Sequence, residues 1–200
     1  MSQVIVPDYS AFILKDIAVD VPALANRSII TSYRQVVAQP GAERWYLSAI
    51  IDPLVTENDE KAWRAFLFGL RGIRNYFHYR VACQTHSGSR PTVDTGATNG
   101  YSIPLTGMTP STTILKAGDY MTVPLPSGHR RLVMLLLDLV TNSAGKATAT
   151  LNVALNEVPA AGGLVETLAP FVPVSSTERR MGISYDNSVG IISLTLEEAV

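Results

Sequence analysis

Two hundred residues suit one large domain or two small ones, and an apolar share of 46% supplies ample material for a core. Only 16% of residues are charged and the net charge is −1, so no basic field draws the chain to nucleic acid. No apolar run approaches the ~20 residues that span a bilayer; the longest, Leu132 to Val140, is short and contains Asp138.

A single cysteine, Cys83, excludes an intrachain disulfide framework and a cysteine-rich zinc site, and reads as an inert buried thiol. So little charge leads us to expect that self-association covers part of the surface. The N-terminal MSQVIVPDYS lacks the basic stretch and apolar run of a secretory signal, so folding in a reducing cytoplasm is expected.

In chain order, Ser28 to Val37 is rich in β-branched residues and reads as a strand. After the turn signal Gln39-Pro40-Gly41, Glu43 to Ile51 alternates. Trp45, Leu47, Ala49 and Ile51 share one face; Arg44, Tyr46, Ser48 and Ile50 share the other. That is the pattern of a half-buried antiparallel strand. The period then changes. Thr56 is a good N-cap, and Glu57, Asp59 and Glu60 suit the positive end of a helix dipole. Trp63, Phe66, Leu67 and Leu70 form one helical stripe, expected to pack on a sheet. Arg71 and Arg74 suit the C-terminal end, and Gly72 the left-handed stop.

Asn75 to Val81 returns to strand-like composition. Cys83 to Thr113 is dense in Gly, Pro, Ser, Thr and Asn and reads as turns, short strands or a mobile loop. Tyr120 to Leu125, Arg131 to Thr141 and Ala147 to Leu155 are expected strands, the last two joined by a hairpin loop at Asn142 to Lys146. A small Greek-key barrel or sandwich would close them. Pro159 to Pro173 reads as a return linker. Gly190 to Leu196 alternates with Ile192, Leu194 and Leu196 on one face, and the sheet flanking the Trp63 helix is its natural host. The barrel would then be an insertion within the first domain.

No motif for chemistry stands out: the sequence has no phosphate loop, no GxSxG elbow, no HExxH and no Cys/His zinc spacing. His78, His86 and His129 lie in different elements and read as packed or surface residues. Asp119, after Gly118, reads as an Asx-type turn opening a strand. Arg71, Arg74 and Arg80, with Tyr76 and Tyr79, form one basic-aromatic patch, read as a solvated face or subunit contact. Arg130-Arg131 and Arg179-Arg180 carry little signal. No catalytic, cofactor-binding or metal-binding residue is assigned, and no cofactor is expected.

Several short motifs, in this order and spacing, resemble a known family. They are Arg44-Trp45 on a strand, the helix end Ala65 to Gly72 (AFLFGLRG) with an aromatic strand after it, and Leu115 to Val123 (LKAGDYMTV). The Asn142 to Lys146 hairpin and the closing Gly190 to Val200 complete the set. Together they resemble the distal tail protein of long-tailed bacteriophages, the siphophages. The resemblance implies a mainly β fold with one principal helix (α+β): a belt β-sandwich over 1–82 and 174–200, and an inserted OB-like β-barrel over 83–173. It further implies a structural, non-enzymatic subunit of the virion tail tip, assembled in the host cytoplasm. Copies would form a homo-oligomeric ring, a hexamer, joining the tail tube protein to hub or fibre proteins. DNA would pass through the lumen without specific binding, and no membrane insertion is implied.

Two other classes compete. A carbohydrate-binding tail module would use Tyr101, Tyr120 and the polar loop as a stacking platform. A cell-wall hydrolase would need a catalytic constellation, which the sequence does not display.

Overall fold

A computed structural model describes residues 1–27, 34–38, 42–54, 56–86, 88–186 and 189–199. A 3-10 turn at Tyr9–Ala11 leads into β1 (Phe12–Asp20), then β2 (Ala23–Arg27), β3 (Arg34–Ala38) and β4 (Arg44–Leu54). The helix α1 (Glu57–Leu70) precedes β5 (Phe77–Arg80). Short strands follow: β6 (Thr92–Val93), β7 (Ser102–Thr106), β8 (Thr113–Leu115), β9 (Tyr120–Pro124), β10 (Arg130–Met134), β11 (Leu139–Val140) and β12 (Ala147–Thr150). The chain ends with β13 (Phe171–Ser176), β14 (Ser184–Asp186) and β15 (Val189–Glu198). The fold is mainly β, with α1 as the single α-helix among the described residues. Of the strand expected at 28–37, residues 28–33 lie outside the described residues, as does the turn signal at 39–41.

Contacts divide the chain into two units, 1–18 with 45–81 and 171–200, and 19–44 with 82–170. The segment 19–44, placed by sequence in the first domain, groups with the second. Val19 packs on that unit's core, and Glu43 bonds its Arg131 and Tyr101.

In the first unit one sheet runs β1-β4-β15-β13-β5, with β14 also on β15. β15 is antiparallel to β4, β13 and β14, so Gly190–Leu196 does lie beside Leu47–Leu54, near the middle of that sheet. Trp45, Leu47, Ala49 and Ile51 of β4 are buried, as are Ile192, Leu194 and Leu196 of β15. The helix follows its sequence cues closely. Thr56 accepts a hydrogen bond from Asp59 N at 3.2 Å, and Trp63, Phe66, Leu67 and Leu70 are buried. Its rings dock edge-on at 5.3 Å (Trp63 to Phe12 of β1) and 5.1 Å (Phe66 to Phe77 of β5). Phe12 in turn stacks on Phe77 at 5.8 Å. The sheet thus curls until its two edge strands meet through aromatic rings rather than backbone rungs.

Pro159 to Pro173 is not all linker, because Phe171–Ser176 is a sheet strand. Pro173 is tolerated there by position. It stands on the rung where the β13–β15 ladder ends, and its carbonyl still accepts from Ala199 N at 2.9 Å.

The second unit consists of the ladders β10-β9, β11-β8 and β12-β7-β6, with the β2-β3 pair. The first three ladders surround a core that includes Ile103, Leu105, Met121, Val123, Val133 and Leu135. No sheet among the described residues closes into the expected barrel. The strands are two to five residues long, the β11–β8 register slips between Leu139 and Val140, and single bridges such as Leu135 to Leu151 link the pieces. The strand expected over 131–141 therefore breaks after Met134, leaving Leu136 and Leu137 exposed, and the one expected over 147–155 stops at Thr150. The turn at 142–146 forms, with Asn142 Oδ1 accepting from Ala144 N at 2.9 Å and Lys146 N at 3.1 Å. It joins strands of different ladders. Gly145 is required there: φ is +68° and a Cβ would lie 2.3 Å from Met108 O.

Candidate functional site

The residue types that carry chemistry are mostly held in structural bonds. His78 stacks on Phe171 at 4.2 Å, and His86 Nε2 lies 2.7 Å from Thr167 Oγ1. Beside His129 and Ser127, Glu157 Oε2 accepts from Ser127 N at 3.0 Å and so braces the turn between β9 and β10. The Ser127 hydroxyl, and then its backbone N–H, hold the Glu157 carboxyl below its usual range, with His129 adding to it. Asp119 Oδ2 accepts from Lys116 N at 2.7 Å, closing the turn that starts β9. Glu57 pairs with Lys61, and Glu60 with Arg64 and the Tyr185 hydroxyl. Among the described residues no group of His, Cys, Asp or Glu is arranged to hold a metal ion.

Cys83 is exposed, not buried. It lies in the irregular stretch after β5, beside Gln84, whose side chain turns inward to the backbone of Tyr120 and Thr167. Of the two tyrosines considered for a saccharide platform, Tyr101 is exposed but donates its hydroxyl to Glu43 Oε1 at 2.6 Å, and Tyr120 is half-buried. The Glu43 bond raises the Tyr101 phenol above its ordinary value.

One buried ion pair escaped the sequence reading. Arg131 is fully buried; its Nη2 donates to Glu43 O at 2.7 Å and lies 4.0 Å from Glu43 Oε2. The signal was present. Arg131 shares a strand face, by period two, with Val133 and Leu135, both core residues.

The basic-aromatic patch separates in three dimensions. Tyr79 is buried, and Arg80 lies over the Tyr9 ring at 4.7 Å. Arg71 instead joins Arg179 and Arg180. β13 and β14 are successive partners of β15, and between them residues 178–183 leave the sheet opposite Ile192–Leu194. Thr177 N donates the last rung to Thr195 O at 3.0 Å. Thr195 Oγ1 donates to Glu178 Oε1 at 3.1 Å, anchoring the start of the loop. The loop then lies over the end of α1, where Arg179 O is 3.5 Å from the position of a Cβ on Gly72. Here α1 stops on Arg71 at φ 51°, followed by Gly72 at φ 66°. The left-handed stop thus uses both residues and not Gly72 alone.

Between loop and helix end is an open cleft of about 510 Å³, lined by Leu67, Phe68, Arg71, Gly72, Arg179, Arg180 and Met181. A recess of about 250 Å³ adjoins it, sharing Leu67 and Met181 and reaching Ser176, Ser184 and Ser193. All three arginines are exposed, and Phe68 is 62% exposed. No acid, base and nucleophile converge here; guanidinium groups over an apolar floor are equipped for binding. Among the described residues no helix is long and apolar enough to cross a membrane. Compared with known proteins, the sequence matches no family model and no curated relative.

Proposed function

We propose that this chain is a structural subunit of a bacteriophage tail tip, a ring-forming adaptor between the tail tube and the hub or fibre proteins that meet the host. Its work is assembly, without making or breaking covalent bonds. The observation that carries this reading is the edge strand β1. It is nine residues long, stands at the end of the sheet, and pairs through its backbone with β4 alone among the described strands, meeting β5 only through the Phe12 ring. A long edge of that kind is normally covered or paired. Ile13 is partly exposed on it, and the exposed Lys15, Asp16 and Asp20 disfavour pairing out of register. A second copy that meets this edge through a different surface makes a heterologous contact, which generates a ring when the rotation between copies closes. The order and spacing of the resembling motifs supply the phage context, including a six-fold ring, a lumen through which DNA passes without specific binding, and location in the virion.

Sedimentation and negative-stain imaging of the purified chain test the reading. Closed rings, six-fold in projection, are the expected result, and Ile13→Asp should shift the population towards monomer. A wild-type chain that remains monomeric at high concentration, and does not enter tails, would overturn it.

A further inference from the structure

We infer that the cleft between the end of α1 and the 178–183 loop is a docking site for an extended acidic segment of a partner protein that carries an apolar side chain. The charge comes first. Arg71, Arg179 and Arg180 line one opening, and none has an ion-pair partner among the described residues. Elsewhere Lys61, Arg64, Arg90 and Lys146 each hold a carboxylate of this chain. Unpaired guanidinium groups are forked donors matched to carboxylates, so this surface is complementary to Asp and Glu. Beneath them the floor is apolar, formed by Leu67 and Met181, with the Phe68 ring at its rim. That floor accounts for the apolar side chain of the occupant.

The backbone supplies the third element. Arg179–Ile183 makes no backbone hydrogen bond among the described residues. Across the recess, Ser193 follows the Thr195 rung by two residues along the same edge of β15 and has no rung to the loop. Free N–H and C=O groups beside a side-chain pocket are what an extended peptide recognises. A nucleic acid fits less well. The cleft is short, its cations number three, and the net charge of −1 provides no track for a longer backbone. The surface does not include the β1 edge, so this inference stands apart from the ring reading.

Fluorescence anisotropy with the full chain provides the test, using a labelled Glu-Leu-Glu-Phe-Glu peptide, its Lys-for-Glu counterpart and an oligothymidine. The acidic peptide is expected to bind, to weaken with added salt, and to bind about tenfold more weakly to the Arg179→Ala/Arg180→Ala variant. Phe68→Ala should weaken it independently. All three side chains are exposed, and unchanged melting temperatures confirm that the variants fold. Absence of binding at about 1 mM acidic peptide overturns the inference. So does equal binding of the basic peptide, or binding indifferent to the substitutions. Tighter binding of oligothymidine would assign the cleft to nucleic acid. Loss of self-association in the double variant, with no peptide bound by wild type, would assign it to a second copy. Either result also overturns the proposal.

Discussion

The side chain of Gln84 substitutes for a strand. Its Oε1 accepts from Tyr120 N at 2.7 Å, while Nε2 donates to Tyr120 O at 2.8 Å and Thr167 O at 2.9 Å. Gln84→Ala leaves these partly buried backbone groups without their partner and should cost about 1–3 kcal/mol in urea denaturation. Gln84→Glu should cost more, because a carboxylate accepts but cannot donate to the two carbonyls. Equal stability of wild type and both variants would contradict this account. Tyr79 adds a pH dependence. Burial pushes its phenol up to about 12, so folding favours the neutral form. The stability gained is complete below the ordinary tyrosine value near 10 and is lost as pH rises through about 12. Tyr79→Phe should flatten the alkaline fall in melting temperature; an unchanged slope would show that another group controls it.

Among the elements, α1 was legible almost residue by residue, because cap, dipole charges and apolar stripe all act within one segment. The end of the helix was less so. Gly72 was recognisable as a left-handed residue, but Arg71 also adopts φ 51°, a region that costs a side chain of L configuration about 1 kcal/mol. Arg71→Gly should therefore raise stability by up to about 1 kcal/mol in thermal melts, while weakening acidic-peptide binding. A variant that is destabilised would show that the Arg71 side chain packs more than it strains. The cleft itself was hidden in the sequence. Arg71 and Arg179 are brought together only when β13 and β14 flank the same strand, and no local pattern reports that. The second unit was legible as short strands and turns but not in its pairing. Arg131 to Thr141 reads as one strand, yet the ladder partners of its two ends differ, β9 for one and β8 for the other. Cys83 misled for a related reason: composition favours burial, whereas exposure depends on which neighbour turns inward.

For the molecule as a whole, the order in which strands are made differs from the order in which they pair. β15 lies between β4 and β13, yet every strand it touches precedes it in the chain. While the nascent polypeptide is still emerging from the ribosome, the first unit has a gap where β15 belongs. The described strands β2, β3 and β6 to β12 already have their ladder partners within residues 19–44 and 82–170. Stalled chains that end at Asp186 should therefore protect 82–170 from protease while leaving 45–81 susceptible. Synthesis of β15 then fills the gap between β4 and β13, so the first unit completes its sheet only after the second unit has all its described strands.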